Sequence, residues 1–532
     1  SAAPTPGAIN SVQSATLPPA IRKVSFEPIG RVLDRDLTIF PGEDVRITAK
    51  VTDPDGVASV TLRYEIVEPG DYIALDDPAF GSDQVVLSMV DDGTGNDALA
   101  GDSIYSVTIP SSIQTHRRLI RYTIISADSL SHAITVPYLD DPVPNFAYFV
   151  YGGIPDWTGS KRPGVSATAN FDFSQIEPVA TYHLVTTKQD HSDAQYIPGT
   201  TRSGGYGGSD YLWQGALVYE GRVYDHIRYR ARGGVWRYAM GKNMWKFDFN
   251  RGHRFQARDD FDEKYRSEWN KLNFSSLIQQ GNFNQRGEQG LFEGAGFKNH
   301  NLSGNPAPNT HYVHFRIIED TNESGPSASQ FDDDFQGLYM AIEQLDGQFA
   351  DEHQLPDGYL WKIEGGNNQG PANGQGAYLE SSLPHGDVDD FIAGYGGTPT
   401  ESWWRDWLDL EEYYAFRANA TWEHDYDIHA GKNYFFMHNP VEDNWRVVNW
   451  DLDLAWTTTY GGGGTTGPLS ADVLGIPALL QEYRNSVRHL QDLLHNEEQQ
   501  GMLLDEISHW IDTPTIDSIA EADRSMWDYN PI

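Results

Sequence analysis

From about residue 24 to residue 140 the chain alternates apolar and polar positions in short runs, with turn signals roughly every ten residues. Asp44-Val45-Arg46-Ile47-Thr48-Ala49-Lys50-Val51 is one such run, Asp53-Pro54-Asp55-Gly56 punctuates it, and Ala58 to Val67 is the next. A period of two puts one face of each strand on a core and the other in water, so this part predicts an all-β sandwich. Residues 141 to 177 are rich in proline and glycine and predict a connection lying on domain surfaces. Alternation then returns from Arg222 to Arg230. After Gly233-Gly234, the run Lys242 to Phe249 predicts a strand with Trp245, Phe247 and Phe249 packed into a lobe, and with Lys242, Met244, Lys246 and Asp248 facing a cleft. Gly337 to Gln344 predicts a buried strand with Glu343 near its end. Glycine-rich stretches at 281 to 310 and 364 to 377 predict long loops. From about residue 400 the period becomes helical, through Trp403, Trp404, Trp407, Leu408, Leu410, Tyr413, Tyr414 and Phe416, and again at 477 to 495.

The most informative pattern is a hairpin. The strand Tyr434-Phe435-Phe436-Met437, a turn at Asn439 to Asn444 and the strand Trp445-Arg446-Val447-Val448 follow one another. With the turn centred near Glu442, Asn433 and Asp451 come within cross-strand distance, about 5 Å, and form a candidate divalent-metal site. Asp425 and Asp427 lie just upstream, and Asp453 follows Asp451 at the same-face spacing of two. An Asp, then an Asn, a hairpin and a further Asp is the order in which protein kinases present their base and two metal ligands, so phosphate transfer is expected.

With 532 residues the chain exceeds a single core. Four parts are expected: an extended segment (1–23), a sandwich of immunoglobulin or fibronectin type (24–140), a linker (141–177) and a two-lobed α+β domain (178–532). The chain carries 38 basic against 76 acidic residues, a net charge of -38, which disfavours nucleic acid as a partner. Having no cysteine, it is without disulfides, thiolate zinc sites and cysteine nucleophiles. No run approaches the roughly 18 apolar residues of a membrane span, and the small, polar amino terminus suits either a mature end left by signal removal or an artificial boundary. In the sandwich, Asp91, Asp92, Asn96, Asp97 and Asp102 share one glycine-bent loop. They are either calcium ligands or an Asx-turn loop satisfying its own backbone.

Several pieces together resemble the CotH kinase family, named for a spore-coat protein and regarded as secreted, atypical kinase-like enzymes. They are Arg228-Tyr229-Arg230-Ala231-Arg232-Gly233-Gly234 with its lysine strand, Gly337 to Asp346, Gly358 to Ile363, Asp425 to Tyr434, and Asn449-Trp450-Asp451-Leu452-Asp453. The resemblance covers roughly residues 178 to 500. It implies transfer of the γ-phosphate of ATP, with magnesium or manganese, to Ser or Thr of a secreted protein. The family's metal-binding aspartate falls on Asp451, its catalytic aspartate on Asp425 or Asp427, and its nucleotide lysine on Lys242 or Lys246. By their own chemistry Asn433 would join the metal, Asp453 would either join it or cap a turn, Glu343 would orient the lysine and Arg230 would touch a phosphate. The alternative is a catalytically inactive module of an extracellular assembly that uses the same fold. A weaker alternative, carbohydrate binding, is prompted by the 15 tryptophans, although the Trp403-Trp404-Trp407 spacing is that of a helix core.

Overall fold

The computed structural model describes residues 17–160, 167–174, 176, 179–195, 208–233, 242–277, 291–325, 329–363, 376–378, 387–428, 431–456, 467–512 and 517–527. The first 16 residues, Gly234 and residues 281–290 and 364–375 of the two glycine-rich stretches lie outside that set, and the expectation of a long loop over 281–310 is corrected by a helix at Leu291–Leu302, whose residues pack into the core.

The alternating first part forms two antiparallel sheets. One joins β1 (Ala20–Pro28), β2 (Val45–Thr52) and β5 (Ile104–Ile109). The other runs in the order β4 (Val85–Ser88), β3 (Val57–Val67), β6 (Leu119–Asp128), β7 (Ala133–Val136). Val45, Ile47, Ala49 and Val51 of β2 all point inward, where they share a core with Val60 and Leu62 of β3 and with Ile120 and Ile124 of β6. The proline-rich segment does more than connect: its β8 (Phe146–Phe149) pairs with β6, and the Tyr148 ring enters the same core. Further along it, β9 (Trp157–Gly159) and β10 (Ala169–Phe171) form a two-stranded ribbon.

Seven strands then close into a barrel: β11 (Thr181–Val185), β12 (Trp213–Tyr219), β13 (Arg222–Arg232), β14 (Met244–Asp248), β15 (Lys271–Ser275), β16 (Thr310–Ile318) and β17 (Phe335–Glu343), in the order β11-β12-β13-β14-β15-β17-β16. Parallel pairing of β11 with β16 makes the closure. Tyr182, Tyr229, Trp245, Phe247, Phe274 and Phe315 fill the interior, so the apolar face of β14 packs inward as its alternation predicts. Helix α1 (Lys188–Ala194) follows β11, α2 (Leu291–Leu302) precedes β16, and α3 (Gly347–Glu352) follows β17.

The remaining part is mixed α/β. A sheet in the order β19 (Gly376–Tyr378), β18 (Tyr359–Ile363), β20 (Tyr434–Asn439), β21 (Asn444–Asn449) is covered by α4 (Asp387–Tyr395), α5 (Glu401–Trp407), α6 (Leu410–Trp422), α7 (Ser470–Val473) and α8 (Pro477–Leu493). The long apolar stripe at 403–416 is broken into two helices, because the Asp409 carboxylate accepts from Glu412 N and caps α6 while Asp409 N donates to Trp445 O. Trp403 and Trp407 of α5 stack on each other and on Phe391. Helices α9 (Glu497–Ile511) and α10 (Ile519–Trp527) return to pack with the barrel strand β17 and with β18, β20 and β21 in one core. Among the described residues no helix is long and apolar enough to cross a membrane.

Sandwich and barrel are fastened by a buried joint. Asp225 of β13 accepts from Arg121 Nε (2.7 Å) and Nη2 (3.0 Å), from the Tyr72 hydroxyl (2.8 Å) and from Asn145 Nδ2 (3.0 Å). Burial works against its charge, yet Arg121 and these donors hold the carboxyl well below the usual range.

Candidate active site

The hairpin forms with the expected turn, and Tyr434 pairs with Asn449 and Asn439 with Asn444, but this register is one residue off the expected one and carries Trp450, not Asp451, opposite Asn433. Just beyond its last pair, the backbone leaves the ladder sharply on both sides. Asn433 (φ 63) and Asp451 (φ 67) both occupy the left-handed region, which costs about 1–3 kcal/mol for a residue with a side chain and is concentrated at functional sites. After Asp451 a 3-10 turn spans Leu452–Leu454 and drives Leu452 into the core. That turn sits close on α2: a Cβ at Gly296 would stand 2.7 Å from Leu452 Cδ1.

The upstream carboxylates have different settings. Asp425 is fully enclosed, and its Oδ1 accepts from Asp427 N and Ile428 N, each at 3.1 Å, while Oδ2 is buried without a partner among the described residues. Burial pushes this carboxyl up to about 7. Asp427, by contrast, keeps 19% of its side chain exposed. Its oxygens receive Lys432 Nζ at 2.6 Å and Asn433 Nδ2 at 2.9 Å, which leaves the Asn433 amide oxygen as the atom able to meet a cation.

Asp451 and Asp453 are half-buried, and neither carboxylate has a hydrogen-bond partner among the described residues. Burial raises both. Arg232 and Lys362 oppose the rise at Asp451, whereas the charges of Asp451, Glu293, Asp427 and Asp425 push Asp453 higher still. Glu293 comes from α2, where it accepts from Ser275 Oγ at 2.8 Å. Burial, and then the charge of Asp451, push it up to about 7. Glu423, at the end of α6, is fully buried and also raised by burial, with one oxygen unpaired among the described residues. So many carboxyls in one water-poor cleft need protons or a cation to offset their repulsion.

The barrel wall supplies positive charge. Arg230 and Arg232 alternate with the inward Tyr229 and Ala231, and Arg230 pairs in register with Lys246 of β14. Arg232 lies over the Trp450 ring at 5.7 Å, and burial lowers its pKa against the pull of Asp451, Glu293 and Asp453. Arg230 Nε is buried without a partner among the described residues. Lys246 Nζ donates to Gln344 Oε1 at 2.5 Å, and burial together with Arg232, Lys271 and Arg230 draws it well below an ordinary lysine.

Two sequence-based placements change. Lys242 lies ahead of β14, outside its alternation, and is turned away from Lys246. Its Nζ donates to Asp523 Oδ1 (2.6 Å) and Leu338 O (2.5 Å) above the Tyr339 ring, so it anchors α10 instead of facing the cleft. Glu343 does not orient Lys246: it accepts from Asn309 N (3.0 Å) and contacts His353 Nε2 (3.2 Å), and its neighbour Gln344 meets the lysine. Glu293, Arg232, Lys432 and Glu423 received no role from the sequence. For Glu293 and Glu423 no spacing signal exists, since both enter through helix packing.

The loop at 91–102 satisfies itself. Asp91 accepts from Gly101, Asp102 and Ser103 N, Asp92 from Thr94, Asp97 from Gly93 N and Ser106 Oγ, and Asp102 from Ile104 N, while Asn96 Nδ2 donates to Thr108 Oγ1. An acidic triad that could hold a metal lies elsewhere in the sandwich, where oxygens of Asp53, Asp55 and Asp128 approach within 4.8 Å of one another. The sequence reading took Asp53 and Asp55 for turn residues only.

Residues 230–500, half of the chain, match the family described as CotH kinase protein. The chain belongs to the CotH kinase family. The matched span includes the cation-bearing end of β13, β14 and the whole acidic hairpin. No curated protein matches the chain. Among solved structures, domains D2 and D3 of the major pilin SpaD from Corynebacterium diphtheriae are similar at 11% identity, over 45% of this chain and 87% of that one. The TM-score is 0.15, too low to carry an argument. Membership makes this a kinase-like protein, and the cleft between barrel wall and hairpin is where its chemistry is to be sought.

Proposed function

We propose that the protein is an ATP- and divalent-metal-dependent kinase, secreted or held at the cell surface, that phosphorylates Ser or Thr of extracellular or coat proteins. The observation that carries this reading is the pair Asp451 and Asp453, two carboxylates in a cleft without hydrogen-bond partners among the described residues, facing the cationic barrel wall. Hard oxygens from Asp451, Asp453 and the Asn433 amide suit magnesium or manganese. When bound, such an ion supplies charge neutralisation for phosphoryl transfer. Arg230, Arg232 and Lys246 hold the phosphates of ATP electrostatically. Asp427, the more exposed aspartate, orients the acceptor hydroxyl and takes its proton, while Asp425 fixes the loop through two backbone N–H groups. The net charge of -38 suits an extracellular surface.

One observation favours the inactive-module alternative: with Lys242 engaged by Asp523, the nucleotide-lysine role rests on Lys246 alone. Transfer of labelled γ-phosphate from ATP with magnesium or manganese, to the protein itself and to a generic protein acceptor, separates the two. Label taken up by the native chain and lost in Asp451→Asn supports the kinase. No transfer, with no nucleotide-dependent rise in melting temperature, leaves the structural module.

A further inference from the structure

Behind the acidic hairpin, fully enclosed polar side chains stand in line: His300 near the end of α2, Asn305 just after it, and Asn449, the last residue of β21. β21 is the edge strand of its sheet, so the carbonyl groups on its open side need partners from outside the sheet. Asn305 Nδ2 donates to one of them, Val447 O, at 2.9 Å. His300 Nδ1 lies 2.7 Å from Asn305 Oδ1, and His300 Nε2 lies 2.7 Å from Asn449 Nδ2. Asn449 Oδ1 in turn accepts from Trp450 N at 2.7 Å.

Backbone groups at both ends fix the direction of this chain. A carbonyl only accepts and an N–H only donates, so Asn305 must present Nδ2 to Val447 O and Asn449 must present Oδ1 to Trp450 N. That leaves Asn305 Oδ1 and Asn449 Nδ2 facing the imidazole, which therefore carries its proton on Nδ1 and accepts at Nε2. An imidazolium would set an Nε2–H against the Asn449 amide hydrogens and break the chain. Burial holds His300 down to about 4. Glu423 Oε2, 3.7 Å from Nε2, is beyond hydrogen-bond reach and belongs to a carboxyl that burial raises, so nothing there draws a second proton onto the ring.

We infer that His300, Asn305 and Asn449 are positioning residues for the metal: through one directional hydrogen-bond chain they fix the strand end from which the Asp451 carboxylate is presented. The inference rests on the metal site proposed above. Asp451 accepts no hydrogen bond from a described residue, so its carboxylate is placed by its backbone and its own torsions. Trp450, the residue before it, is tied through its N–H to His300 of α2, and Leu452, the residue after it, lies in the core against Gly296 of the same helix. Glu293 stands on α2 as well, so one helix sets the spacing between Glu293 and Asp451. Outer partners that orient a metal ligand typically change metal affinity roughly 10–100-fold when removed.

The test reads Mn2+ binding to the full chain by electron paramagnetic resonance, well below the melting temperature of each variant, with the cleft site defined as the one lost in Asp451→Asn. Asn449→Ala and His300→Phe should each weaken that site about tenfold. The double variant should lie within about twofold of the weaker single, because each substitution breaks the same chain. A purely structural role would lower the melting temperature and leave the Mn2+ affinity of the folded protein in place. Nitrogen-15 spectra of the histidine-labelled native chain need no variant: His300, assigned through the Phe416 ring 6.1 Å away, should be protonated on Nδ1 and bare on Nε2 at neutral pH. Unchanged Mn2+ affinity in both single variants, effects that multiply in the double variant, or a His300 protonated on Nε2 would each overturn the inference. A native chain without an Asp451-dependent Mn2+ site would refute the metal reading and this inference with it. Mn2+ binding that responds to both variants in a chain without phosphate transfer would sustain the inference while the kinase reading fails alone.

Discussion

Asp523→Ala tests how the carboxy-terminal helix is tied to the barrel. Asp523 and Lys242 are both fully enclosed, with Nζ 2.6 Å from Oδ1. The same carboxylate oxygen accepts from Leu338 N at 2.9 Å, beside Gly337, whose hydrogen cannot be replaced: a Cβ there would stand 2.1 Å from Asp523 Oδ1. Among the described residues, removing the carboxylate leaves a buried ammonium held by Leu338 O and the Tyr339 ring, 4.0 Å from Nζ. Breaking such a pair from one side costs about 3–5 kcal/mol. Lys242 has an escape, which is to lose its proton. From the ordinary lysine value this costs about 5 kcal/mol at pH 7, and less here because burial already lowers the ammonium against the pull of Asp523. Both routes therefore give about 3–5 kcal/mol, a fall of roughly 5–10 °C in the melting of the carboxy-terminal part. Calorimetry reads the fall, and hydrogen exchange should show α10 opening first. The double variant Lys242→Met with Asp523→Leu removes both charges and should recover most of the loss. A loss under about 1 kcal/mol in Asp523→Ala, or a double variant no better than the single, would refute the reasoning.

Other consequences can be checked alongside. The Asp333 carboxyl is pushed up to about 8 by burial and by Asp334 and Asp332, so the folded state keeps a proton that the unfolded state loses near pH 4. Its contribution is present at low pH and fades as pH rises towards 8; melting temperature should fall between pH 5 and 8, and Asp333→Asn should flatten that slope. Arg121→Ala leaves Asp225 buried without its guanidinium and should cost about 3–5 kcal/mol, seen as sandwich and barrel melting in separate calorimetric steps. Asp91→Ala orphans the N–H groups of Gly101, Asp102 and Ser103 and should lower the sandwich transition by about 1 kcal/mol, whereas chelating calcium from the native protein should leave that transition in place.

The hairpin was legible because two local signals agree, apolar runs of matched length and a turn rich in Asn and Asp, but the pairing at the open end slipped by one, since the register carries Trp450 and not Asp451 opposite Asn433. Period two was equally reliable inside β14, where Trp245 and Phe247 point inward. It failed at Lys242 because the alternation was extended two residues beyond the strand, into a stretch whose geometry is set by α10. The strand β8 was hidden by its surroundings, since prolines at 142 and 144 mask a short run that completes the sandwich edge. Glu293 could not be found at all: it is an ordinary acid in the first turn of a helix, and only the packing of α2 on the turn after Asp451 gives it meaning.

That packing also explains why the two signs of charge stay apart. Acids enter the cleft from the hairpin, its upstream loop and α2, whereas cations enter from alternate positions of β13 and β14. Were both sets free to meet, they would collapse into ion pairs and leave nothing for a ligand. The barrel interior prevents this by pinning Tyr229, Ala231, Trp245 and Phe247, which fixes the opposite face of the same strands. On the other side, the left-handed backbone at Asp451 holds its carboxylate where it finds no fully compensating partner among the described residues. Backbone strain and uncompensated charge both cost stability, and a fold keeps such costs where a ligand offsets them. A metal–triphosphate complex offers cations to the acids and anions to the wall, so it matches both halves of the cleft at once. It follows that Asp451→Asn should stabilise the metal-free protein, by relieving repulsion on Asp453 and Glu293, while removing its response to metal and nucleotide. A variant that destabilises the metal-free protein would show that Asp451 is structural.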